Sequence, residues 1–307
     1  MTSSFTELYP SYRSETSQFM MVPQSSAGDW VSAKPGSNLV SLPGGGVGHI
    51  LPYQTQQNLA SPENTFSNMV YHGGPIQKAP KIVLILWGFG TCTKSGCTND
   101  PNKTEAILYN LARDIGGSTL FSTTTQYYST AQGNITNPVN TLISFLVDKN
   151  AAPTKPTTAQ IQVQVVDAQH FLKMGNNKDV DYIVSLGYRH DPPGFGPGGF
   201  CAFHTAFGTK TSPQPFTVDP YVTEAGTGCG AYTVQGPDDG VSVVLGHELA
   251  EATTDPGLNA WYDSDGLSGE IGDKCANRGF NQDIYLRNNG LFPMQPLWSN
   301  KTANCVF

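Results

Sequence analysis

The chain has 307 residues, enough for one large domain or two ordinary ones with a real core, and a formal charge of −7. Only 13% of residues are charged and no long run of Lys or Arg occurs, which excludes nucleic-acid binding through a basic surface. With 33 Gly and 22 Pro the composition suits a loop-rich extracellular protein, and no run of about 18 apolar residues predicts a membrane span.

Residues 1–65 are rich in Ser, Gln, Pro and Gly and read as an N-terminal arm or pro-segment. Residues 1–23 have no basic start and no apolar core, so they do not read as a signal peptide. A single domain is expected over residues 66–307. Its first element is the apolar run 81–89 (KIVLILWGF), a buried strand. Residues 104–115 place Ile107, Leu108, Leu111 and Ile115 at helical spacing. The stretch 139–147 (VNTLISFLV) reads as a second helix, 161–166 as a strand with one solvated face, and 181–188 as another strand. Residues 199–207 alternate aromatic and small residues, as an edge strand does. Asp238 and Asp239 then open the clearest helix, 241–253, as candidate caps, and Pro256 stops it. Loops and short strands follow to the end.

The six cysteines match no Cys-x2-Cys zinc pattern. Of the fifteen possible connectivities the simplest pairs Cys92 with Cys97, Cys201 with Cys229 and Cys275 with Cys305. Disulfides imply an oxidising compartment, and the sequons at Asn102, Asn134 and Asn300 are compatible with a secreted glycoprotein.

Chemistry concentrates in the helix VSVVLGHELAEATT. His247 and Glu251 are four residues apart and share one helical face, with Glu248 about 100° around. That arrangement resembles the zincin metal helix, in which two ligands at i and i+4 hold the ion and the intervening Glu polarises a water. Here the usual second His is Glu251, a permissible zinc ligand that shifts the balance toward harder ions such as Mn or Ca. In the zincin-like pattern a downstream Glu completes the site and an Asp orients the first His. Glu270, nineteen residues after Glu251, and Asp273 are placed for those roles, with Asp255 and Asp263 as competitors. Phe203 and His204 lie on the stretch expected to hold extended substrate. His204, His72 and His190 also read as ordinary structural histidines. Ser-His-Asp catalysis has no support, because no Gly-x-Ser-x-Gly elbow is present.

The ordered segments YHGGPI (71–76), LILWGF (84–89), GFCAFH (199–204) and TDPGLNAWYD (254–263) resemble the phosphate-induced protein / EXORDIUM-like family over roughly residues 68–305. The resemblance implies a secreted, disulfide-bonded protein acting in an extracellular or cell-wall setting.

The expected fold is therefore α/β (α+β): a zincin-like twisted mixed sheet with helices and a loop-rich, disulfide-bonded C-terminal half. The expected function is a secreted metal-dependent peptidase. His247, Glu251 and Glu270 would hold a divalent ion, zinc first with Ca or Mn as alternatives, and Glu248 would be general base on the water it holds. The alternative is a non-catalytic extracellular protein with a structural metal, binding glycan or protein partners.

Overall fold

The computed structural model describes residues 5–7, 38–42, 46–54, 67–263, 269–276, 281–288 and 290–307. Its centre is an eight-stranded mixed sheet. In chain order the strands are β1 (Phe5–Glu7), β2 (Leu39–Ser41), β3 (Val47–Pro52), β5 (Lys81–Trp87), β6 (Leu142–Asp148), β7 (Val180–Leu186), β8 (Phe200–Thr209) and β9 (Ser212–Asp219). A short strand outside the sheet, β4 (Met69–Tyr71), pairs with β10 (Trp261–Asp263). The spatial order is β1-β6-β5-β7-β9-β8-β3-β2. The interior strands β6, β5, β7 and β9 run parallel, and β8, β3 and β2 continue the sheet antiparallel. Three strands thus come from the segment read as an N-terminal arm. The α/β expectation holds.

Helices cover both faces, which is why the central strands are apolar runs rather than alternations. On one face Ile82, Leu84 and Leu86 of β5 pack with Leu108 and Leu111 of α1 (Thr104–Asp114) and with Leu245 and Leu249 of α3 (Asp239–Thr254). On the other, Val83, Ile85 and Trp87 meet Ile161, Val165 and Ala168 of α2 (Thr158–Leu172).

Several local expectations are overturned. Residues 142–148 form strand β6, not a helix. Phe145, Leu146 and Val147 are buried in succession on both faces of a parallel strand, a pattern whose period is ambiguous in so short a run. Residues 161–166 lie in helix α2, not a strand. A capping box starts it: the Thr157 hydroxyl accepts from the Gln160 N–H at 3.3 Å, and the Thr157 N–H donates to Gln160 Oε1 at 2.9 Å. The apparent alternation came from Val163, which is 48% exposed on the solvent side of the helix. Strand β8 is not an edge: β9 and β3 flank it, so no extended substrate can add there. Asp238 and Asp239 do not cap α3 as expected. Asp238 makes no cap bond, and the Asp239 carboxylate accepts backbone N–H groups of Val234, Gln235 and Gly236 from the preceding turn.

Beyond α3 the chain forms short two-stranded pieces tied back to the body. The disulfides are Cys92–Cys97, Cys201–Cys229 and Cys275–Cys305. Among the described residues no helix is long and apolar enough to cross a membrane.

Candidate metal centre

Helix α3 crosses the sheet face formed by β9, β8 and β3, and all sixteen of its residues are buried. The expected i, i+4 stacking is present: His247 Nε2 lies 3.1 Å from Glu251 Oε1. Register supplies the opposing wall. Thr217, His204 and His49 are directly opposed across β9, β8 and β3, so all three side chains face the helix. The His49 and His204 rings are 5.8 Å apart. The third wall is the loop carrying Glu270 and Asp273. It is anchored by Cys275–Cys305, by the Trp298 N–H donating to Ile271 O at 2.9 Å, and by Asp273 N–H donating to Glu251 Oε1 at 3.0 Å. Gly272 lets this loop pass: a Cβ there would sit 2.6 Å from His247 Nδ1.

These walls converge on one buried cluster. His49 Nδ1 is 3.5 Å from Glu251 Oε2, 3.5 Å from Glu270 Oε2 and 3.4 Å from Asp273 Oδ2. His204 Nδ1 is 3.3 Å from Glu248 Oε2 and 3.6 Å from Glu251 Oε2, and its Nε2 is 3.4 Å from Glu270 Oε2. His247 Nε2 is 3.7 Å from Asp273 Oδ1. The donor atoms of His49, Glu251 and Asp273 all lie within 4.8 Å of one another, as do those of His204, Glu248 and Glu251.

Of the site residues expected from sequence, His247, Glu248, Glu251, Glu270 and Asp273 come together. Asp255 braces the edge: its Oδ1 accepts the Asn259 and Ala260 N–H groups at 2.6 and 2.7 Å. Asp263 is engaged elsewhere, 2.6 Å from Lys274 Nζ. Phe203 points to the opposite sheet face, edge-on to Phe200. His72 stacks on Tyr262, and His190 Nδ1 meets Pro153 O at 2.9 Å, so both are structural. Sequence reasoning missed His49 and did not place His204 at the centre. The one local trace of His49 is its in-phase position with Leu51 in the strand 47–52.

The electrostatics are those of a site short of positive charge. Burial, followed by the charge of Glu251, pushes Glu248 well above the ordinary carboxylate range. Burial and Glu251 do the same to Glu270. Asp255 and Asp273 rise to about 6, chiefly by burial. Burial would also raise Glu251, but His247 and His49 beside it hold it well below its usual value. Burial drives His204 down to about 3, whereas for His49 and His247 the surrounding carboxylates outweigh burial and raise the ring.

Several of these buried atoms have no hydrogen-bond partner: His204 Nε2, both ring nitrogens of His247, Glu248 Oε1, Glu251 Oε2, Glu270 Oε2 and both Asp273 oxygens. Orphaned buried polar atoms are costly. So many converging on one point fit a divalent cation, and this mixed imidazole–carboxylate set can hold one. No family model, curated protein or solved structure matches the chain, so the geometry alone carries the functional argument.

Proposed function

We propose that the protein is a secreted, metal-dependent hydrolase acting on peptides, with its ion held by His247, Glu251 and Glu270 and with His49, His204 and Asp273 beside them. The observation that carries this reading is the convergence of unpartnered, fully buried His and carboxylate atoms around Glu251. Three imidazoles in the set favour zinc, or Mn after it, over Ca, which takes oxygen ligands. The disulfides fit the extracellular setting. Kinship with the EXORDIUM-like family belongs to the same proposal.

When bound, the ion supplies Lewis-acid polarisation and lowers the pKa of water. The chain's own part is proton handling. Glu248 Oε2 faces His204 Nδ1 at 3.3 Å, which leaves Oε1, without a partner, to take a proton. Burial, with the charge of Glu251, raises its proton affinity above that of an ordinary carboxylate, the direction a general base needs. A cavity of about 230 Å³, lined in part by Leu51, Val244, Ala276 and Gln295, reaches Val244, one helical turn before Glu248.

A second reading rests on burial: Glu248 and Glu251 are 0% exposed, as suits a structural ion in a non-catalytic protein. Exposed aromatics such as Tyr232 and Tyr285 would then serve a glycan or protein partner. Elemental analysis and a peptidase screen separate the readings. Metal should be retained in Glu248→Gln while hydrolysis falls about 10²–10⁴-fold. Metal without any Glu248-dependent hydrolysis selects the structural reading, and metal-free wild type sinks both.

A further inference from the structure

Resting on the metal-centre reading above, we propose that the centre holds two divalent cations, with Glu251 shared between them. The donors form two overlapping sets around this residue: His49, Glu251 and Asp273 on one side, His204, Glu251 and Glu270 on the other, with Glu248, the base, beside His204. Two ligands on one zinc, each at about 2.0–2.2 Å, lie no more than about 4.4 Å apart. Zinc takes about four such ligands, and the buried His, Glu and Asp atoms of this cluster that lack a hydrogen-bond partner outnumber that set, so one ion leaves several of them unsatisfied.

Glu251 is built as the common vertex. Its Oε1 accepts the Asp273 N–H and faces His247 Nε2, which fixes the carboxylate. Its Oε2 has no hydrogen-bond partner and lies between His49 Nδ1 at 3.5 Å and His204 Nδ1 at 3.6 Å. Glu270 Oε2, also without a partner, spans the same two rings at 3.5 and 3.4 Å. Two-metal centres separate their ions by about 3.5–4 Å and use them to clamp both oxygens of a displacement.

The test counts ions on the full-length chain. Protein stripped by chelation is reloaded with excess Zn²⁺ or Mn²⁺, desalted, and measured by native mass spectrometry with elemental analysis. The expected result is two ions per chain, with magnetic coupling in the electron paramagnetic resonance spectrum of the Mn²⁺ form. His49→Ala should reduce the count from two to one. One ion in wild type overturns this proposal while leaving the metal-centre reading intact, and no ion removes both. Two ions that both persist in folded His49→Ala overturn the assignment of the first group. The wild-type count decides the matter even where the variant does not fold.

Discussion

Two aspartates that are not part of the donor cluster show how strongly this fold taxes buried charge. Asp181 on β7 and Asp219 on β9 are fully buried against α3, and burial raises each from 3.8 to about 7. Each keeps one hydrogen bond: the Thr217 hydroxyl donates to Asp181 Oδ2 and the Ser185 hydroxyl donates to Asp219 Oδ2, both at 2.8 Å. Their other oxygens have no partner. The folded protein thus holds two protons that the unfolded chain releases near pH 4. The stability tied to these protons is complete below about pH 4 and is lost as pH rises to about 7. Thermal midpoints of Asp181→Asn and Asp219→Asn should therefore fall less steeply over that window than those of wild type. An unchanged slope would show that neither carboxyl is held neutral by the fold.

At the scale of elements, the centre depends on a helix and a loop that must meet at close range. A methyl group at Gly272 would lie 2.6 Å from His247 Nδ1 and 2.8 Å from Cγ, so the ring or the loop must move. Gly272→Ala should cost about 1–3 kcal/mol and lower metal affinity about 10–100-fold, the usual effect of disturbing a ligand's support. Titration of the stripped variant with Zn²⁺ checks this, and wild-type affinity would mean that His247 holds no ion. The loop's other anchor is Cys275–Cys305, with a sequence separation of 30. Replacing both cysteines by Ser should destabilise the chain by about 3–4 kcal/mol through loop-closure entropy. It should also weaken metal binding, because Glu270 and Asp273 ride on that loop. Cys92–Cys97, a local pair away from the centre, should leave affinity unchanged when removed.

For the whole molecule, the centre brings three parts together: the sheet through His49 and His204, the helix α3 through His247 and Glu251, and the C-terminal loop through Glu270 and Asp273. An ion bound there stabilises the native state by mass action, about 2.7 kcal/mol at a free concentration of 100 times Kd. Chelation should accordingly lower the thermal midpoint by about 4 °C, and a midpoint indifferent to chelator would deny the ion any joining role.

Local spacing in the chain was enough to predict the buried strand that covers 81–87, the helices carrying residues 104–114 and 239–254, the i, i+4 stacking of His247 and Glu251, and the local pair Cys92–Cys97. These are properties of near neighbours: a helical repeat, a short loop, a local bridge. The types of residues 142–148 and 158–172 were decided by tertiary structure, because burial on both faces erases the period of a strand and an exposed Val163 imitates one in a helix. His49 and His204 entered the centre by the same route. Strand register, set by hydrogen bonds between distant segments, is what makes them cross-strand neighbours beneath α3, and register leaves no mark in the sequence on either side of it.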